Sequence, residues 1–294
     1  MVLFLGSGSA AMILLLCLLA LEVCLSLRFH HHAMGRSASK TVLRSASVGK
    51  GAMGSDVSAG TIALVGAGPG DPEMLTMQAM KYLKNASLVI ADRLISKEIL
   101  DLIKCELRIA KKRPGCAEEA QEEIYHWVVE AVRQGKNVVR LKIGDPLLFG
   151  RGGEEFLYFK EQLGIVPVIV PGISSSYSAP MAALIPLTHR GVSNQVLIST
   201  GYGKDLAYVE VPVFVQDRTV VLLMAVGRIG EIAADLVARK NYPLSTPVAI
   251  VESATTPQQR TLLGTLETIG DIAAREEAKA PATIVIGNVV NVLM

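Results

Sequence analysis

Short apolar runs rich in β-branched residues alternate along this chain with segments of helical periodicity. Thr61–Gly66, Ser87–Ala91, Leu107–Ala110, Asn137–Lys142 and Val166–Val170 read as strands. Between them, Met74–Asn85 repeats Leu75, Ala79, Met80 and Leu83 at helical spacing, with Pro72 at a helix start. Lys97–Ile103 is a short helix. Ala120–Arg133 sets Ile124, Trp127, Val128 and Ala131 on one face and stops near Gly135. Gly152–Leu163 is helical, and so is Ser174–Leu184 despite Pro180. A second set follows, with strands at Gln195–Thr200, Thr219–Ala225, Val248–Glu252 and Ala282–Gly287 and helices at Ile229–Arg239 and Leu266–Ala278. Val289–Leu293 is expected to pair with a neighbouring strand. Alternation of this kind predicts two α/β domains, at 58–187 and 188–294, joined around Pro186–Gly191. The cleft between them is the natural place for a small molecule.

The apolar runs end in polar, mostly glycine-containing turns: TIALVGAGPGD from Thr61, SLVIAD from Ser87, VVRLKIGDPLLFGRGG from Val138 and VIVPGISSS from Val168. Ligands of open α/β sheets bind beyond the carboxyl ends of the strands, so these turns predict one ligand-binding rim. Gly66–Asp71 invites a nicotinamide-dinucleotide reading with Asp92 as the ribose acid. Asp71, however, stands where that fingerprint needs its third glycine, and an acid there repels a pyrophosphate. A nicotinamide-dependent oxidoreductase is therefore the weaker alternative.

Composition narrows this further. The 294 residues carry a net charge of +2 and 5% aromatic residues, with Trp127 the single tryptophan, which argues against nucleic acid as a partner. Of four cysteines, Cys17 and Cys24 fall in the amino-terminal region, and Cys105 and Cys116 read as free thiols in a reducing compartment. No His or Cys stands at metal-site spacing, and His30–His32 reads as a solvated tail. Met12–Leu27 is apolar, interrupted by Glu22 and short for a membrane span, so 1–27 reads as a signal-peptide core. The stretch 28–57 carries Arg28, Arg36, Lys40, Arg44 and Lys50, with no acid before Asp56, in the manner of a transit peptide. Together, residues 1–57 are expected to form a disordered bipartite leader, which resembles those that target plastids acquired by secondary endosymbiosis. A secreted, endoplasmic-reticulum or signal-anchored protein is the alternative, and the mature domain needs no membrane.

The motifs GAGPGD, ADRL (Ala91–Leu94), KKRPG (Lys111–Gly115), QEEI (Gln121–Ile124), GDPLLFGRGGEE (Gly144–Glu155), VPGISS (Val170–Ser175), IPLTHR (Ile185–Arg190), VESAT (Val251–Thr255) and PQQR (Pro257–Arg260) occur in this order. In that order the chain resembles the uroporphyrinogen-III C-methyltransferases of the tetrapyrrole methylase superfamily, from about Thr61 to the carboxyl end. The resemblance implies a homodimer of two α/β domains with S-adenosyl-L-methionine held in the cleft. It implies C-methylation of uroporphyrinogen III on two adjacent pyrrole rings to give precorrin-2, for sirohaem with corrins as a further outlet. A methylase acting on a later precorrin is the nearest rival.

By family position, Pro69, Ile143, Gly144, Asp145, Leu148, Ser174, Ser175, Met224 and Ala254 would line the cofactor site. Ile143, the Ser174–Ser175 pair and Ala254 depart from the commoner bacterial glycine, Thr-Ala and glycine. Ala254 must keep a negative φ to avoid strain. Asp92 matches the family's proposed base, with a helix N-cap or salt bridge as the plainer role. Lys112 matches the proton donor, with Lys111 as its competitor. An acceptor with eight carboxylates calls for arginine forks, and Arg113, Arg151 and Arg190, assisted by His189, are the substrate candidates. Glu122 and Glu123 are expected to be solvent-facing helix charges.

Overall fold

The computed structural model describes residues 60–110, 117–203, 207 and 209–294. All of them belong to one compact unit, Asp56–Met294. The expected leader at 1–57, and Lys111, Lys112, Arg113 and Cys116, lie outside the described residues. Among those described, no helix is long and apolar enough to cross a membrane.

The first half is an all-parallel sheet of β1 (Thr61–Gly66), β2 (Leu88–Asp92), β3 (Glu106–Ala110), β4 (Asn137–Lys142) and β5 (Val168–Val170). Its order is β3-β2-β4-β1-β5, which puts β4 at the centre. Interleaved are α1 (Met77–Lys84), α2 (Lys97–Leu100), α3 (Ala117–Arg133) and α4 (Gly152–Leu163). Ile62, Leu64, Leu88, Ile90 and Val138 meet Ile124, Val128 and Phe159 of α3 and α4 on one face. Ala63, Val65, Val89 and Leu141 meet Ala79 and Leu83 of α1 on the other. Burial on both faces explains why these strands read as continuous apolar runs rather than alternating ones.

The second half orders its strands β6-β7-β10-β8-β9: β6 (Gln195–Thr200), β7 (Arg218–Leu223), β8 (Pro247–Glu252), β9 (Arg260–Thr265) and β10 (Ala282–Ile286). Only the β6–β7 pair is parallel; β10 runs antiparallel to β7 and β8, and β9 to β8. α6 (Ile229–Lys240) and α7 (Ile269–Arg275) cover one face around Ile232, Leu236, Ile269 and Ile284. α5 (Ser175–Ala182) precedes the expected junction in sequence yet packs on the second sheet, with Ala179 against Val251 and Ala254.

Four expectations are corrected. The first helix does not begin at Met74: Pro72–Met74 is a separate 3-10 turn capped by Asp71, and α1 starts after Thr76, whose hydroxyl accepts from the Ala79 amide at 3.0 Å. Arg260–Thr265, of which only Arg260 was read, as the end of a motif, is edge strand β9. The helix expected over Leu266–Ala278 is confined to Ile269–Arg275. Val289–Leu293 pairs with no strand; Asn288–Asn291 is a 3-10 turn that buries the adjacent Val289 and Val290, a pattern an alternating strand would not give.

Candidate active site

The carboxyl end of the parallel sheet is shaped by close backbone crossings. After β1, Gly68 exchanges two backbone hydrogen bonds with Gly144, which follows β4 at φ +66°. Gly144 therefore holds a left-handed conformation that a side chain would strain. The turn after β5 approaches both: a methyl on Gly172 would stand 2.1 Å from the Gly144 carbonyl oxygen. Asp145 fixes this junction, because its Oδ1 accepts from the Leu147 amide at 2.9 Å and its Oδ2 from the Gly172 amide at 3.1 Å. Ser174 caps α5, accepting from the Ser176 amide at 3.2 Å.

These turns form one wall of a pocket. Pro69, Ile143, Gly144, Asp145, Leu148, Ser174 and Ser175 come from the first half, and Met224, Val251 and Ala254 from the strand ends of the second. All nine residues assigned to a cofactor site line it. The residues that sequence reading missed are Leu94, Phe149, Gly150, Leu223, Val226, Val251 and Ala280–Thr283. The β10 segment carries no polar turn to mark it, and it enters the pocket because it lies between β7 and β8. Ala254 is free of positive φ, as required, while its neighbours Ser253 (φ +44°) and Thr255 (φ +66°) take the left-handed conformation instead. Phe149 and Met224 share it at φ +52°. Left-handed backbone at non-glycine residues is costly and clusters at ligand sites. Met224 is half exposed at the pocket rather than core.

Asp92 ends β2 on the same rim, two residues before the pocket residue Leu94. It caps no helix, since Ser96 is the N-cap of α2. It is instead ion-paired with Arg140 of β4. Arg140 and Lys142 lie two apart on the central strand and so share its α3–α4 face. Both are fully buried and both reach Glu155 Oε1 on α4, at 3.3 and 2.9 Å. Gln121 Nε2 of α3 donates to the same oxygen at 3.1 Å. Burial works against the Arg140 charge, yet Asp92 and Glu155 hold it above its ordinary range. For Lys142, burial and then Arg140 push the ammonium below its ordinary range, against the pull of Glu155. Tyr125, beside this cluster, is pushed up to about 12 by burial and by Glu155. Sequence reading passed over the cluster; its signal is a pair of cations at i and i+2 inside an apolar central strand.

The substrate candidates are more scattered. Arg151, the residue before α4, is ion-paired with Glu154 at 2.7 Å, next to pocket residues Phe149 and Gly150. His189 and Arg190 are exposed on a tight turn closed by backbone bonds between His189 and Ser193, and neither lines the pocket. Glu122 is exposed, as expected. The Glu252 and Arg260 of the last two motifs face each other across β8 and β9 as an ion pair.

Two α/β sheets meeting over a turn-lined pocket at their strand ends define a protein that holds a small molecule between its halves. The family profile of the Tetrapyrrole (Corrin/Porphyrin) Methylases matches residues 61–270, and the chain belongs to that family. It is 44% identical over 237 residues to the uroporphyrinogen-III C-methyltransferase of Saccharomyces cerevisiae, covering 80% of this chain and 40% of that one. It is 43% identical to the enzyme of the same name from Methanocaldococcus jannaschii, covering 80% of this chain and 98% of that one. A chloroplastic S-adenosyl-L-methionine-dependent uroporphyrinogen III methyltransferase of Arabidopsis thaliana is 38% identical over 82% of this chain and 66% of its own. The chain thus spans less than half the length of its yeast relative but nearly all of the archaeal one. The structure of uroporphyrin-III C-methyltransferase from Thermus thermophilus complexed with S-adenosyl homocysteine superposes with a TM-score of 0.67 at 37% identity, over 79% of this chain and 99% of that one.

Proposed function

We propose that this chain transfers methyl groups from S-adenosyl-L-methionine to carbons of uroporphyrinogen III on two adjacent pyrrole rings, giving precorrin-2 for sirohaem synthesis. The observation that carries the reading is the convergence of all nine cofactor positions, drawn from turns in both halves of the chain, on one pocket that also takes in Leu94, two residues after Asp92. The lining suits the cofactor: apolar walls from Leu148, Met224 and Val251 for a flat base, and the Asp145 carboxylate and turn carbonyls for a cationic sulfonium. The cofactor supplies an already activated methyl group, so the chain's main task is positioning.

When the methyl passes to the pyrrole carbon, the electron pair of the broken C–S bond stays with sulfur and a proton leaves the macrocycle. Asp92, ionised beside Arg140, accepts it. Lys112 lends a proton to the macrocycle during the step and takes it back, so that one proton is lost in net for each methyl gained, and Arg113, Arg151 and Arg190, with His189, bind the carboxylates of the macrocycle. On this reading Arg151 exchanges Glu154 for a substrate carboxylate. We also read the working unit as a homodimer with a domain division at 187/188. The compartment is a plastid, a destination supported by the leader's composition and by the chloroplastic relative.

The test is an anaerobic assay of the purified chain with uroporphyrinogen III and S-adenosylmethionine, read by product mass. Two added methyl groups, lost in Asp92→Asn while S-adenosylhomocysteine still binds, is the expected result. No transfer by a folded, cofactor-binding protein would move the acceptor to a later precorrin. A fluorescent fusion of residues 1–57 that stays in the endoplasmic reticulum would exclude the plastid.

A further inference from the structure

The centre of the parallel sheet holds four charges in one connected group: Arg140, Lys142, Glu155 and Asp92. Three of them are wholly buried, and only Asp92, with a side chain 17% exposed, reaches the rim. Burying charge in this way is expensive and rarely adds net stability. Lys142 and Glu155 already neutralise each other. Arg140 is a second buried cation, and its counter-charge is the rim carboxylate.

The guanidinium is held from every side. Nε donates to Glu155 on α4 at 3.3 Å, and one terminal nitrogen donates to the carbonyls of Ile90 at 3.2 Å and Leu141 at 3.0 Å. The other terminal nitrogen is thereby aimed at Asp92 Oδ1. A fork fixed by two adjacent strands and a helix sets both the direction and the charge state of the carboxylate it holds.

We propose that Arg140 is a positioning residue that keeps Asp92 ionised and aimed at the rim, with Glu155 and Lys142 as the buried counter-charges that allow a guanidinium to stand there. The catalytic half of this inference rests on the base role given to Asp92 above; the charge relation between the two residues does not. Among the described residues, the groups facing Asp92 and Arg140 include Lys142 from β4 and Glu155 from α4, with Gln121 and Tyr125 from α3 around Glu155. In Arg140→Met the Lys142–Glu155 pair stays balanced inside, and Asp92 is left where water reaches it, so this variant is expected to fold.

The experiment uses the full chain labelled with carboxyl-13C aspartate, the Asp92 resonance being the one that Asp92→Asn removes. By linkage, a cation that favours the ionised carboxylate lowers its titration midpoint. In Arg140→Met that midpoint is expected to rise by about one to three pH units. The acid limb of single-turnover methyl transfer should move with it, and kcat should fall about a hundredfold, with S-adenosylhomocysteine affinity unchanged. Arg140→Lys keeps the charge and loses the fork: its acid limb should stay near wild type while kcat stays about tenfold down. An unmoved Asp92 midpoint in Arg140→Met overturns the charge relation whatever the substrate proves to be. A moved midpoint with unchanged kcat and acid limb overturns the catalytic half. Should Arg140→Met not fold, a folded Arg140→Lys with wild-type kcat overturns the positioning role. A wild-type chain that methylates no uroporphyrinogen III sinks the proposed function instead, and the Asp92 titration still decides the relation to Arg140.

Discussion

The amide of Asp71 donates to the hydroxyl of Thr255 at 3.2 Å, tying the turn after β1 to the turn after β8 close in sequence to the pocket residues Pro69 and Ala254. Gln259 extends the tie: it accepts from the Thr255 amide at 2.7 Å and donates to the Ala182 carbonyl at the end of α5 at 3.0 Å. Gly70 sits beneath it, so close that an added methyl would stand 2.6 Å from Thr256 Cγ2. Two motifs distant in sequence thus act as one fastening.

Thr255→Val keeps shape and φ but leaves the Asp71 amide without its acceptor. We expect a stability loss of about 1 kcal/mol, measured by denaturant midpoint, and weaker S-adenosylhomocysteine binding by calorimetry. Undiminished affinity would mean that the fastening does not hold the pocket in shape.

Gly172→Ala should be among the most damaging single-methyl changes in the chain, because the methyl would overlap the Gly144 carbonyl and stand 2.7 Å from Gly66 Cα. Backbone cannot yield as a side-chain tip does, and a loss of about 3 kcal/mol is expected. Gly153, in the first turn of α4, meets nothing within 4 Å, so Gly153→Ala should gain about 0.5 kcal/mol. Thermal melting of the pair separates crowding from backbone entropy; equal melting temperatures would refute the packing argument.

Ser174→Ala removes the cap of α5 and should cost about 1 kcal/mol. Because α5 supports Ala254 from behind through Ala179, hydrogen exchange should quicken in α5 and at the end of β8 together. Faster exchange in α5 alone would show that the helix end and the pocket wall move independently.

Glu252 sets an acid limit on stability. Burial is the largest influence and pushes its carboxyl up, but Arg260 and the Lys279 amide outweigh it and leave the group below the ordinary carboxylate range. A folded-state value below the unfolded one means stability that is complete above the unfolded value and lost as pH falls through the folded one. The melting temperature should therefore drop from about pH 5 downward, and Glu252→Gln should flatten that drop while lowering the plateau. Parallel curves for the two proteins would exclude Glu252 as a cause.

Much of this was legible in the sequence, for a physical reason. Strands buried on both faces leave unbroken apolar runs, so β1 and β4 stand where the pattern puts them, and turns at their carboxyl ends carry the pocket. β9 escaped because it is an edge strand with Gly264 and three threonine or arginine positions in six residues, too polar to mark itself. Val289 and Val290 misled because adjacent apolar residues suit a 3-10 turn as well as a strand. The Arg140–Asp92 pair was hidden because a cation in a strand says nothing about its partner, which stands on a neighbouring strand.

The pocket draws on turns from Pro69 to Ala254, across nearly the whole described chain, and neither half encloses it alone. A molecule seated there is in effect a removable cross-link. At a hundredfold excess over its dissociation constant it would raise the unfolding free energy by about 2.7 kcal/mol. That gain would be shared by both sheets, so proteases should lose access to the two halves at the same ligand concentration.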